Sequence, residues 1–147
     1  MHCFKYNILL IIFLTLLLSA CFNKDTSKIT SVNDPEIVAM AFFDALYNER
    51  NIEKAASVCT PKLARLILHY RSPEAVGRHL FNMSYDKVQM SPDSNGVKIR
   101  EQFKGNANIT IYFDGSYQGS RIKDVKRLAI VQQKGKWFID KLLKDPF

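Results

Sequence analysis

The chain is predicted to fold as an α+β domain, with N-terminal helices packed on one curved antiparallel sheet. Three observations predict it. Asp34-Pro35, Thr60-Pro61 and Ser72-Pro73 each place an oxygen-bearing cap before a proline, which marks a helix start. After Met83 the pattern changes to short β-rich runs separated by Ser-Pro-Asp-Ser-Asn-Gly, Gly-Asn-Ala and Lys-Gly. Helices therefore precede strands, an order that suits an antiparallel meander and argues against a parallel nucleotide-binding fold.

The first helix is expected from Pro35 to about Asn48. Val38, Ala41, Phe42, Ala45 and Leu46 form its apolar stripe, and Met40, Phe43 and Tyr47 widen it, so a large surface must cover it. Asn48-Glu49-Arg50-Asn51 reads as a polar turn, and Ile52 to Cys59 as a short alanine-rich helix. Two more helical segments follow, Pro61 to Tyr70 and Pro73 to about Asn82. Glu36 and Glu74 place negative charge on the positive ends of their helix dipoles.

Strands are expected over Tyr85 to Met90, Val97 to Phe103, Asn108 to Phe113, Val125 to Gln133 and Lys136 to Leu143, with a loop from Gly115 to Gly119. A three-residue Gly105-Asn106-Ala107 turn would set Ile99 opposite Phe113, Glu101 opposite Ile111 and Phe103 opposite Ile109. A two-residue turn pairing Gln102 with Ile109 and Arg100 with Ile111 mixes polar with apolar, so the first register is preferred. It aims Glu101 at the apolar face. A Lys134-Gly135 turn pairs Ile130 with Ile139 and Gln132 with Trp137 on one face, and Val131 with Phe138 on the other. Both faces are then apolar near the tip, which makes Trp137, Phe138 and Val131 a candidate interface with a partner or a second copy.

Upstream of the domain, Lys5 precedes an apolar run from Ile8 to Leu18, followed by Leu18-Ser19-Ala20-Cys21. That is the order of a secretory signal, and its apolar part is shorter than the roughly 20 residues needed to span a bilayer. The last four residues match the lipobox of bacterial lipoproteins: Leu18, Ser19 and Ala20 for signal peptidase II, and Cys21 for the diacylglycerol thioether. More than one acyl chain on one cysteine makes a stable anchor. The expected organisation is a signal peptide at 1–20, a lipidated cysteine and tether at 21–33, and one α+β domain at 34–147. Cleavage leaves 127 residues with a net charge of +6, since only Lys5 departs from the +7 total. Cys59 then has no intrachain cysteine to pair with apart from the lipidated one, and reads as a small buried hydrophobe.

The expected location is the bacterial cell envelope, facing the periplasm. Phe22 rather than aspartate follows the cysteine, which under the enteric sorting rule resembles an outer-membrane lipoprotein. Export makes nucleic acid an improper partner for the basic excess, which is concentrated in Lys123, Lys126, Arg127, Lys134, Lys136, Lys141 and Lys144. Anionic lipid, lipopolysaccharide phosphate or an acidic protein fits it instead, and a solvated basic surface is the plain reading.

Phe42-Phe43-Asp44-Ala45-Leu46-Tyr47, the turn Asn48 to Asn51, Ile52-Glu53-Lys54-Ala55-Ala56, Thr60-Pro61 and the closing Gly135-Lys136-Trp137-Phe138-Ile139-Asp140 together resemble the nuclear transport factor 2-like superfamily, in its small bacterial lipoproteins. The resemblance covers about Pro35 to Leu143. It implies a cone of helices on a strongly curved sheet around a pocket, and a family of isomerases, dehydratases, binding proteins and secretion components. Fold alone does not choose among these.

An isomerase-type site needs an acid or base inside the cone and a donor opposite it. Glu101 is the candidate, with Tyr112, His69 and Tyr70 as pocket residues and Asp44 and His79 as further possibilities. The plain alternative for Glu101 is a solvent-facing carboxylate. No metal-ligand spacing, phosphate loop or cofactor motif is present, so neither metal nor cofactor is expected. The expected function is a non-enzymatic, membrane-anchored lipoprotein that binds a small ligand or partner protein. A subunit of an envelope or secretion complex is the alternative, and an isomerase or hydrolase the second.

Overall fold

The computed structural model describes residues 34–94, 97–98 and 100–145. Leu18, Ser19, Ala20, Cys21, the tether to Asn33, and Ile99 lie outside the described residues. The described chain is α+β, with helices followed by a five-stranded antiparallel sheet and a two-stranded ribbon.

Helix α1 spans Pro35–Tyr47, capped by Asp34, whose carboxylate accepts from the Glu36 amide at 3.0 Å. Helix α2, Ile52–Ser57, is capped by Asn51 through the Lys54 amide at 2.8 Å. Helix α3, Pro61–His69, starts after Thr60, whose side chain makes no cap bond and instead donates to Asp140 at 3.2 Å. Helix α4, Pro73–Val76, is capped by Ser72. The expected helix then widens into a π-turn over Gly77–Phe81, closed by left-handed Asn82. The Gly77 carbonyl accepts from both Asn82 and Met83.

Strands β1 (Lys87–Ser91), β4 (Arg100–Phe103), β5 (Asn106–Tyr117), β6 (Ser120–Gln133) and β7 (Lys136–Leu143) form the main sheet, and β2 (Asp93–Ser94) pairs with β3 (Val97–Lys98). Strand β5 is central. On one side it pairs along its whole length with β6; on the other, β4 takes its first half and β1 its second.

Two expectations about this sheet are corrected. The β4–β5 turn is Lys104-Gly105, which sets Phe103 opposite Asn106 and Glu101 opposite Asn108. Lys104 takes a positive φ of 51°, so a two-residue turn suffices and the register differs from both those considered. The supposed Gly115 to Gly119 loop is strand up to Tyr117, turned by Gln118-Gly119 at φ 49° and 79°, the geometry of a type I′ hairpin. The β6–β7 hairpin follows the expected register, pairing Ile130 with Ile139, Val131 with Phe138 and Gln132 with Trp137.

The sheet is not strongly curled. Bulges are the usual device for bending a sheet, and the β5–β6–β7 ladders carry one register break, at Ala129/Ile130. Alternate residues Ala107, Ile109, Ile111 and Phe113 of β5, with Leu128, Ile130, Trp137 and Ile139, face the helices and are buried. Phe42 and Phe43 of α1 fill the space between the layers and meet Phe81 and Phe113 edge-on or tilted. Aromatic rings therefore occupy the place where a cone would hold its pocket.

Candidate functional site

A cavity of about 110 Å³ opens at the end of this aromatic cluster. Leu46 and Tyr47 close α1 against it; Glu74 and Gly77 come from α4 and the π-turn, Tyr85 and Asp86 from the following loop, and Tyr117 from the end of β5. Arg50 and Arg78 stand at its rim and are exposed.

Each wall has a local cause. Gly77 lets the π-turn approach α1, because a β-carbon there would lie 2.8 Å from the Met83 carbonyl and 3.2 Å from Tyr47 Cε1. Arg50 adopts a left-handed φ of 52°, uncommon for a residue with a side chain. Its guanidinium donates to Glu74 at 2.7 Å and to the Tyr85 carbonyl at 3.4 Å, tying the turn to α4 and the loop. The Asp86 carboxylate accepts from the Gln118 amide at 2.8 Å, and the Asp86 amide donates to the Ser116 carbonyl at 2.8 Å.

Inside the cavity the polar group is Tyr47. The residue is 8% exposed, and its hydroxyl is buried with no hydrogen-bond partner among the described residues. Burial raises its ionisation far above the ordinary phenol range, with Tyr85 and Asp124 adding to the rise. It is thus a neutral donor at physiological pH, not a base. Tyr85 is pushed up to about 12 by burial, then by Asp124 and Asp114. Its hydroxyl donates to the Met83 sulfur at 3.9 Å. The Glu74 carboxylate is held below its usual range by a backbone hydrogen bond and by Arg50. Arg78 has no ion-pair partner among the described residues. Together these groups offer a donor and a cation to an accepting oxygen. At roughly 30 Å³ per water, the space holds about four waters, well under the 300–1,000 Å³ of sites for drug-sized ligands. It fits a small molecule or the end of a larger one.

The residues proposed from sequence do not line this cavity. Glu101 lies on the sheet face away from the helices, its side chain 65% exposed, accepting from Asn108 at 3.1 Å and Arg127 at 3.4 Å. Arg100, its neighbour, faces α1 and bonds Asp34 at 3.3 Å. Tyr112 is half-buried on the outer face opposite Val125. His69 and His79 are exposed; Tyr70 is half-buried between them and stacks on His79 with ring centroids 6.2 Å apart. Asp44 accepts from Asn48 at 2.7 Å. Among the described residues no cluster of three or more histidine, cysteine or acidic side chains could hold a metal.

Of the candidate interface, Trp137 is buried toward the helices, whereas Val131 and Phe138 are half-buried on the outer face. Phe103, 72% exposed, joins them there through Asn106. Sequence reasoning missed it because the expected register turned it inward. It also missed Tyr47, which looks like one more residue of an apolar stripe, and the Arg50–Glu74 pair, whose members are 24 residues apart. The Ser72-Pro73 cap does fix Pro73 and Glu74, both lining the cavity, at a helix start.

Compared with known proteins, the chain matches no family model, no curated protein and no solved structure.

Proposed function

We propose that this protein is a non-enzymatic, lipid-anchored protein of the bacterial cell envelope that binds a small oxygen-bearing ligand, or the end of a larger one, in the Tyr47 cavity. The observation that carries the binding role is the buried Tyr47 hydroxyl, which, like the neighbouring Arg78 guanidinium, has no partner among the described residues. A group whose donor is buried without an acceptor costs stability, about 1–3 kcal/mol, and a ligand oxygen would relieve that cost. The solvent-facing Glu101 weighs against the isomerase reading. The anchor rests on Leu18-Ser19-Ala20-Cys21. Kinship with the nuclear transport factor 2-like superfamily is likewise a proposal, supported by the order of helices and antiparallel strands and by α1 packing across the sheet. It is a version whose interior is filled by Phe42, Phe43, Phe81 and Phe113.

Two measurements test the reading. Radiolabelled palmitate should enter the wild-type protein and not Cys21→Ser; equal labelling of both sinks the anchor. Ligand-observed NMR against small carboxylates, amides and sugars should find binders that Tyr47→Phe loses. Binders indifferent to that substitution, or none at all, would remove the cavity from consideration.

A further inference from the structure

We propose that the end of the sheet carrying Phe103 docks onto an anionic phospholipid surface, so that the domain lies against the membrane rather than standing clear of it. The proposal takes its orientation from the tethered reading above; the surface itself stands on the geometry.

Two hairpin turns sit side by side at this end. Phe103 pairs with Asn106, Asn106 with Val131, and Val131 with Phe138, one row across four strands on the face away from the helices. The Gln132 amide donates to the Gly105 carbonyl at 2.7 Å, locking one turn to the other. Phe103 projects from the row at 72% exposure, and the Lys104 ammonium lies 5.2 Å from its ring centroid. Lys134 and Lys136 flank the neighbouring turn and are exposed. Among the described residues, none of these three lysines has a carboxylate partner. Several other cations of the sheet are answered, Arg121 and Lys123 by Asp114, Lys126 by Asp124 and Asp145, Arg127 by Glu101; Lys87, which has no ion pair among the described residues, pairs with Ser116 toward the other end of β5. Unanswered positive charge is thus gathered around an exposed aromatic ring.

The place where the chain enters the domain selects the occupant. Asp34, the first described residue, bonds Arg100 at 3.3 Å. Arg100 and Phe103 belong to the same strand, three residues apart, or about 10 Å at strand spacing. Whatever precedes Asp34 is therefore attached beside this end of the sheet. The 13 steps from Cys21 to Asp34 reach at most about 45 Å. A short tether raises the effective concentration of the second contact, so weak headgroup attraction is enough to hold it. An acidic protein would match the lysines too, but nothing would place it next to the anchor point.

The test uses the lipidated protein, purified from membranes and reconstituted in vesicles of phosphatidylcholine alone or mixed with phosphatidylglycerol, with a doxyl-labelled lipid as quencher. Phe103→Trp adds an indole at the tip, and Trp137, buried at 4% exposure, supplies the baseline. The added fluorescence should be quenched in the mixed vesicles and not in phosphatidylcholine. Combining Lys104→Glu, Lys134→Glu and Lys136→Glu should abolish the quenching and weaken docking on the order of a hundredfold, from roughly fivefold per lysine. Quenching at the level of the wild-type protein in both vesicles, or quenching untouched by the charge reversals, overturns the proposal. Shielding of the indole that follows protein concentration rather than lipid composition assigns the face to a second copy or a protein partner, and also overturns it. Retention on phosphatidylcholine vesicles reports Cys21 separately: if it fails, the anchor reading falls, while retention and quenching on the mixed vesicles still decide the docking surface.

Discussion

Gly115 lies so close beneath the ring of Tyr85 that a β-carbon on it would sit 2.6 Å from Tyr85 Cδ1 and 2.5 Å from the Lys87 carbonyl. The glycine is within β5, two residues from its end and paired on both sides with Val88 and Ile122, where strand preference alone would disfavour it. Its use is to let Tyr85 fold down over the sheet, where the ring stacks on Phe113 and meets Tyr47 edge-on. Gly115→Ala should therefore destabilise by about 1–3 kcal/mol through overpacking, read as a lower urea midpoint with an unchanged slope. Gly119, in an open turn with nothing within 4 Å, offers the contrast. There only the φ of 79° opposes a side chain, so Gly119→Asn should cost little.

Asp34 has two duties, capping α1 through the Glu36 amide and pairing with Arg100 of β4. Asp34→Ala should lose both and cost about 1–2 kcal/mol. Asp34→Asn keeps a capping oxygen and loses only the charge. Its cost reads the ion pair, which is partly exposed and contributes no more than about 1 kcal/mol. If Asn and Ala were equally damaging, the cap would carry nothing and the pair everything. Thermal unfolding of the two variants, each with and without Arg100→Gln, separates the contributions.

The helices were legible because their signals are local. Proline at the first helical position, Asp34 and Ser72 as side-chain caps and the apolar stripe of α1 all act within a turn or two, although Thr60, read as a third cap, makes no cap bond. The β6–β7 register was legible for the same reason, since Lys134-Gly135 with alternating neighbours admits one pairing. The β4–β5 register failed because Gly105 attracted the turn while Lys104 took the left-handed position, a choice that no residue type announces. Ser120 to Asp124 was missed as strand because its charges look like a loop; in the sheet Asp114 answers Arg121 and Lys123 across the ladder. The cavity was illegible for a different reason. Tyr47, Arg50, Glu74 and Tyr85 meet only after α1, α4 and the sheet have packed, and the feature that matters, a buried hydroxyl with no partner among the described residues, is a property of packing.

High pH should destabilise the fold in two steps. Cys59 is buried, its thiol donating to the Ala55 carbonyl at 3.4 Å, and burial pushes its ionisation up to about 12 from 9.0. Tyr85 rises to about 12 from 10.0. In both, the folded state holds its proton more tightly than the unfolded chain. The associated stability is complete below the unfolded value and is lost as pH climbs through the window to about 12. Melting temperature should therefore begin to fall near pH 9 and fall more steeply past 10, with the phenolate absorbance of Tyr47 and Tyr85 appearing only as the protein unfolds. Phenolate from Tyr85 and Tyr47 appearing with an ordinary midpoint near pH 10 while the fold is intact would show both to be accessible to solvent.

Tyr47→Phe separates stability from binding. The ring packs on Phe43 with centroids 6.3 Å apart and edge-on to Tyr85 and Phe113 at 5.5 and 6.1 Å, and phenylalanine preserves all three contacts. What disappears is a hydroxyl with no partner among the described residues, whose desolvation costs about 1–3 kcal/mol. The variant should be more stable than the wild type by an amount in that range, an uncommon outcome for a change in a packed core. A residue kept for stability alone would not carry that hydroxyl, so the gain should come with loss of ligand binding at the cavity. Arg78→Gln, on the exposed rim, should weaken the same binding and leave the unfolding midpoint unchanged. If Tyr47→Phe instead lowers the melting temperature, the hydroxyl has a stabilising partner in solution and is no longer the free donor on which the binding role depends.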